Sequence, residues 1–208
     1  MDILLIFIKT PVLGSVKTRL ATTIGDEKAL VVYQKLLELT RCAALNSEAE
    51  NWVYYSTEIV KNDLFSTPEF KKKRQLQTPD LGERMKSAFA DAFAAGAKRV
   101  VIIGSDCPEL TSIHLWSMFD ALQNVALTIC PTEDGGYAAL GMREFMPELF
   151  DNIEWSTNRV YTKTIEHFTN ITKQNAKSPY FCSLNRLRDL DDYDDYLYYQ
   201  KTSYNVTF

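Results

Sequence analysis

Apolar residues along this chain follow two rhythms that take turns. Ile3–Ile8 and Val100–Ile103 are unbroken apolar runs, as expected of strands covered on both faces. Shorter runs at Asn51–Ser56, Val125–Cys130, Tyr137–Gly141 and Tyr180–Leu184 predict further strands, and Arg74–Gln77 a brief one. Between them, apolar positions recur at helical spacing. From about Asp26, read as a cap, Leu30, Tyr33, Leu37 and Ala44 share one face. Leu81, Met85, Ala88, Phe89, Ala92 and Phe93 line an amphipathic helix over 81–95, which Gly96 ends. Thr111 or Ser112 predicts the cap of a helix reaching about Gln123. Ser156 or Thr157 predicts the cap of another, carrying Tyr161, Ile165 and Phe168. Pro11 and Gly14 mark residues 9–20 as a loop, and 64–70 reads as an irregular connection. The tyrosine-rich tail from Tyr196 predicts a last helix against the body.

Strands alternating with helices give the α/β class. The last third departs from strict alternation, which predicts a mixed sheet. A single domain is expected at 208 residues. Net charge of −4 and a pI near 5.3 argue against a nucleic-acid partner, which needs a basic face. The basic cluster Lys71-Lys72-Lys73-Arg74 reads as a solvated loop leading into a strand. Cys42, Cys107, Cys130 and Cys182 form no Cys-x-x-Cys pair, so neither zinc nor redox chemistry is indicated, and reduced thiols suit a cytoplasmic protein. The N-terminal apolar run is too short for a signal core or a membrane span. Without such a signal, the glycosylation sequons at Asn170 and Asn205 carry no weight.

The chemistry begins where strands end. Gly104 and Pro108 stop the run Val100–Ile103, so Asp106 sits just past the carboxyl end of a central strand, where open α/β sheets bind ligands. It is either a turn residue or a metal ligand. The loop after the first strand holds the cations Lys9, Lys17 and Arg19, which together with Gly14 suit a diphosphate. It has neither Walker nor Rossmann glycine spacing. An Asp106 carboxylate beside a diphosphate would suit Mg²⁺ or Mn²⁺. Asp134-Gly135-Gly136-Tyr137 is a hairpin signal that could also line a site. Trp155-Ser156-Thr157 is a helix cap or a cover for a sugar or base face. The acidic run Asp189–Asp195 reads as a capped helix start from which a second metal carboxylate could come. Cys107 is a conceivable nucleophile, but His114 and His167 lie on predicted helices with nothing to pair with, so a hydrolase triad is not expected.

Taken together, Phe7-x-Lys9-x-Pro11-x-x-Gly14-x-Val16-Lys17-Thr18-Arg19-Leu20, Asp80-Leu81-Gly82-Glu83-Arg84-Met85, Ile103-Gly104-Ser105-Asp106-Cys107-Pro108, Asp134-Gly135-Gly136-Tyr137 and Trp155-Ser156-Thr157 make the chain resemble the radical-SAM/selenodomain-associated transferases of bacteria and archaea, which are glycosyltransferase-like proteins. The resemblance implies the nucleotide-diphospho-sugar transferase (GT-A) fold, a three-layer α/β/α sandwich around a mixed, mostly parallel sheet. It implies that Lys17 and Arg19, with Lys9 and Gly14, take nucleotide phosphates, and that Gln77, Gly82 and Arg84 lie near the nucleotide. It places Gly135, Gly136, Tyr137, Trp155, Ser156 and Thr157 near the acceptor. Asp106 would hold the Mg²⁺ or Mn²⁺, with Asp189 or Asp191 as second ligand. Two family features are missing where they would be expected: the Asp-x-Asp pair of many glycosyltransferases at the Asp106 position, where Ser105 is followed by a single Asp, and the Gly-x-Gly-Thr-Arg pattern of sugar nucleotidyltransferases in the first loop. The expected function is therefore metal-dependent transfer from a nucleoside-diphosphate sugar to a small-molecule acceptor, with Asp134 or a carboxylate of the acidic run 189–195 as candidate base. Nucleotidyl transfer from a nucleoside triphosphate and non-catalytic nucleotide binding are the alternatives. The hydrophobicity of the tyrosine-rich tail suits a homodimer interface or, equally, packing within the chain.

Overall fold

The computed structural model describes residues 1–174 and 180–202. The Asn205 sequon and the end of the tail lie outside them. Seven strands form one sheet: β1 (Asp2–Ile8), β2 (Glu50–Tyr55), β3 (Phe70–Arg74), β4 (Arg99–Ile103), β5 (Leu127–Pro131), β6 (Tyr137–Met142) and β7 (Cys182–Ser183). Their order is β3-β2-β1-β4-β6-β5-β7. All pairings are parallel except those of β6, which runs antiparallel to both β4 and β5. The expected mixed α/β sheet is present, and helices cover both of its faces.

The unbroken apolar runs are explained by their two audiences. In β1, Leu4, Ile6 and Ile8 join one core, and Ile3 and Leu5 join the other. Alternate side chains of a strand point to opposite faces, so a strand between two helical layers must be apolar at every position. One core takes α1 (Thr18–Ile24), α2 (Asp26–Leu45), α4 (Ser112–Ala121) and α6 (Tyr193–Lys201), through Leu20, Tyr33, Leu115, Met118 and Tyr199. The other takes α3 (Leu81–Ala94) and α5 (Val160–Gln174), through Met85, Phe89 and Phe168. Each large side chain fully withdrawn from water contributes on the order of 1.5–3 kcal/mol.

Four expectations need correction. Helix α1, Thr18–Ile24, begins within residues 9–20, the expected loop; it ends at Gly25, whose φ of 86° suits glycine. Gly25, not Asp26, is the residue before α2. The third strand is Phe70–Arg74, not Arg74–Gln77, so the basic cluster is strand. It is an edge strand, and its charges are paired outward: Lys71 with Glu50 (2.5 Å), Lys72 with Asp63 (2.7 Å) and Arg74 with Glu58 (3.1 Å). Charged edges of this kind deter further strand pairing. Finally, α5 starts at Val160, beyond Ser156 and Thr157, and the Tyr161 N–H of its first turn donates to the Gly135 carbonyl at 2.9 Å. Among the described residues, no helix is long and apolar enough to cross a membrane.

Candidate functional site

The carboxyl ends of β1, β2, β3, β4 and β5 meet the start of antiparallel β6 along one edge of the sheet. A cavity of about 540 Å³ opens there. It is lined by residues that directly follow these strands: Lys9 after β1, Ser56 after β2, Gln75 after β3, Gly104–Asp106 after β4 and Thr132 after β5. This is the edge at which the Asp106 reading located a ligand site.

Tyr33 of α2 ties two of these turns together. Its hydroxyl receives the Lys9 N–H (2.8 Å), donates to the Lys9 carbonyl (3.1 Å) and lies 3.0 Å from Ser105 Oγ. Burial, then the Asp106 charge, push its phenol well above the ordinary range, so it stays protonated. Lys17 comes next. It has left-handed backbone angles (φ 47°, ψ 42°) at the start of α1 and is buried. Its ammonium pairs with Asp106 Oδ1 and, at 3.0 Å, with Asp191 Oδ1. Burial alone would lower the Lys17 pKa, but the two carboxylates more than offset it and the net shift is upward. Burial opposes ionisation of Asp191 too, yet the Lys17 charge and hydrogen bond hold its carboxyl below the usual range.

Asp191 reaches Asp106 because the segment before α6 is laid along the sheet edge. The Leu187 N–H donates to the Pro131 carbonyl (2.9 Å), and the Leu190 N–H to the Asp106 carbonyl (2.9 Å). The acidic run thus divides its work. Asp192 caps α6 through the N–H groups of Asp194 and Asp195, and Asp195 accepts from Asp191 and Asp192 and pairs with Arg188. Asp189 and Asp191 face the cavity. The Asp189 carboxyl is pushed up to about 8 by burial, and then by Asp106, Asp191 and Asp134. Asp134 Oδ1 accepts from Thr132 Oγ1 (2.5 Å) and from the Gly136 N–H (3.0 Å), which fixes it in a tight turn. Lys9 and Arg19 are exposed at the rim, and neither has a close side-chain partner among the described residues.

The opposite wall is apolar: Phe7, Leu81, Met85, Tyr137 and Trp155. Gly82 and Gly135 shape it from behind. A Cβ on Gly82 would sit 2.9 Å from Trp155 Cζ2, and one on Gly135 would sit 2.2 Å from the Asn158 carbonyl oxygen. Trp155 Nε1 and Arg84 Nε, like the Tyr137 hydroxyl, are buried here with no hydrogen-bond partner among the described residues. Another Arg84 nitrogen donates to Gln75 Oε1 at 3.0 Å, and Gln75 Nε2 donates to the carbonyls of Ile8 (3.2 Å) and Tyr54 (3.0 Å).

The cavity therefore gathers Lys9, Lys17, Arg19, Arg84, Asp106, Asp134, Gly136, Tyr137, Trp155, Ser156, Thr157 and Asp191 from the sequence candidates. Gly14, Gln77, Gly82 and Gly135 do not line it. Gly14, at φ 74°, is a turn residue. Gln77 bonds Arg74 and the Ser56 and Gln75 carbonyls instead, because β3 ends earlier than expected and brings Gln75 to the cavity. Tyr33 and Gln75 are additions for which the sequence carries no signal, whereas Asp189, the alternative to Asp191 in the acidic run, also lines the cavity. Cys107 lines the cavity, but burial, then Asp189, push its thiol up, and its Sγ donates to the Arg188 carbonyl (3.4 Å), so it is no thiolate nucleophile. His114 closes the capping box of α4 with Thr111.

The carboxylates suit a hard divalent cation. Neither Asp106 Oδ2 nor Asp191 Oδ2 has a hydrogen-bond partner among the described residues, and both side chains are open to solvent. No group of three or more metal-ligating side chains occurs among those residues. Mg²⁺ commonly binds with one or two carboxylates plus phosphate oxygens, so two are sufficient.

Comparison with known proteins agrees with this architecture. A protein from Desulfovibrio desulfuricans G20, assigned as a nucleotide-diphospho-sugar transferase, is 31% identical; the match covers 100% of this chain and 89% of that one, with a TM-score of 0.85. The fold is likewise shared with Rv0371c from Mycobacterium tuberculosis H37Rv, solved in complex with manganese (12% identity, 95% and 97% of the two chains, TM-score 0.54). It is shared too with a CMP:2-keto-3-deoxy-manno-octonic acid synthetase complexed with CTP (8% identity, 97% and 99%, TM-score 0.55). A search of curated proteins found no match. The sequence over 39–157 matches the family described as "Uncharacterized protein conserved in bacteria" (DUF2064), and with more than half of its length matched the chain belongs to that family.

Proposed function

We propose that this protein is a metal-dependent transferase whose donor is a nucleoside-diphosphate sugar. The observation that carries the reading is the meeting of Asp106 and Asp191, two carboxylates from distant parts of the chain, beside the free cations Lys9 and Arg19 at a strand-end cavity. The likeness to the D. desulfuricans protein supports the same donor class. Asp106 and Asp191 would hold Mg²⁺ or Mn²⁺, which when bound would offset charge on the departing diphosphate. Lys9 and Arg19 bind and orient the phosphates, Arg19 through its planar fork. The unpaired Arg84 and Trp155 donors, on the apolar wall, orient the nucleoside or the acceptor and exclude water from it. Asp134, fixed by Thr132 and Gly136, is the candidate base for the acceptor hydroxyl.

Nucleotidyl transfer is the second reading. It is favoured by the lone Asp106 at its strand end, where no Asp-x-Asp pair stands, and by the pairing of Asp106 through Lys17 with a carboxylate far along the chain. The association with radical-SAM or selenodomain partners rests on the motif resemblance alone. Mass spectrometry of products from a donor screen tests both readings. Nucleoside diphosphate together with a glycosylated acceptor supports glycosyl transfer. Pyrophosphate from a nucleoside triphosphate overturns it in favour of nucleotidyl transfer.

A further inference from the structure

Lys17 occupies the first loop, where sequence reasoning gives it a phosphate to bind, yet its ammonium is committed elsewhere. Its side chain is only 3% exposed, whereas those of Asp106 and Asp191 are 42% and 44% exposed. The cation thus lies beneath the two carboxylates, away from solvent, with the unpaired Oδ2 atoms left open. Its backbone is held too: the left-handed angles are ones an L-residue adopts only under constraint, and the Lys17 carbonyl accepts the Ala21 N–H at 2.8 Å to begin α1. The two carboxylate segments are joined by the Leu190 N–H to Asp106 carbonyl bond. That brings together like charges that only an intervening cation lets stand close.

We propose that Lys17 is a positioning residue: a buried clamp that holds Asp106 and Asp191 as one divalent-cation-binding pair and does not itself contact phosphate, a task left to Lys9 and Arg19. The inference rests on the cation and diphosphate reading of the cavity. It differs from that reading in what it says of Lys17, and it can fail separately.

The test is a double dissociation using the whole chain. Mn²⁺ binding is measured by electron paramagnetic resonance, and inorganic pyrophosphate binding by calorimetry in EDTA. Lys17→Met is expected to weaken Mn²⁺ binding tenfold or more and to change pyrophosphate binding less than twofold. Arg19→Met is expected to do the reverse. Equal loss of pyrophosphate binding in the two variants, or unchanged or tighter Mn²⁺ binding in Lys17→Met, would overturn the proposal. A readout in the unaltered protein guards against a variant that fails to fold. The Lys17 ¹⁵Nζ signal should be visible because its protons exchange slowly. It should stay in place when pyrophosphate is added and disappear in Asp106→Asn and Asp191→Asn. A signal that moves with pyrophosphate, or that ignores both substitutions, contradicts the clamp. None of these readouts needs a sugar nucleotide, so a donor screen without turnover would count against the proposed reaction and leave the clamp standing.

Discussion

The two walls of the cavity satisfy their polar groups in opposite ways. On the β1–β4 side, charge is dense and largely matched within the chain: Lys17 with Asp106 and Asp191, Asp134 with Thr132 and Gly136, and Tyr33 with Lys9 and Ser105. On the side of Trp155 and Arg84 the surface is mainly apolar, yet it keeps buried donors, Trp155 Nε1 and Arg84 Nε among them, with no partner among the described residues. An unpaired buried donor costs about 1–3 kcal/mol. The contrast separates groups arranged for each other from groups left for something else.

Four substitutions probe that contrast. The largest effect is expected at Gly135, where a Cβ would meet the Asn158 backbone and where φ is 90°. Gly135→Ala should cost about 3 kcal/mol or more, lowering Tm by roughly 6–12 °C in thermal melts. Next is Lys17→Met, which leaves Asp106 and Asp191 facing each other without their cation; because both are half open to solvent, a loss of about 2 kcal/mol, roughly 4–8 °C, is expected. Third is Asp189→Asn, read against pH. With the carboxyl pushed up to about 8, the folded chain holds a proton that the unfolded chain releases near 4, so Asp189 favours folding at low pH and that contribution is lost as pH rises toward 8. Asp189→Asn should therefore raise Tm at pH 9 by a few degrees, about 1 kcal/mol, and change it little at pH 4. Smallest is Trp155→Phe, which removes an unpaired donor and should leave Tm unchanged or raise it by about 1–2 °C while weakening ligand binding.

The sequence exposes the frame better than the connections across it. Buried strands such as Val100–Ile103 announce themselves because both faces are covered, and the position of Asp106 at a strand end follows directly. β3 is hidden because an edge strand can carry Lys71, Lys72 and Lys73, whose partners lie on other elements, and that shift of register substitutes Gln75 for Gln77 at the cavity. α1 escapes notice because seven residues hold too few turns to show a period. The pairing of Lys17 with Asp191 spans 174 positions, and no local pattern encodes it. Gly82 and Gly135 look like ligand-facing residues in a motif; in space they serve the packing of Trp155 and Asn158.

The central claim is that Asp106 anchors a site for a divalent cation and a nucleoside diphosphate. The most direct measurement is thermal unfolding of the wild type and of Asp106→Ala with nucleotide sugars, each with and without Mn²⁺. Near-saturating ligand, at about 100 times its dissociation constant, should stabilise the wild type by about 2.7 kcal/mol, a rise of roughly 5–10 °C that depends on Mn²⁺. Asp106→Ala should show no such rise. A wild type that no nucleotide sugar stabilises, or an Asp106→Ala variant that is stabilised equally, would contradict it.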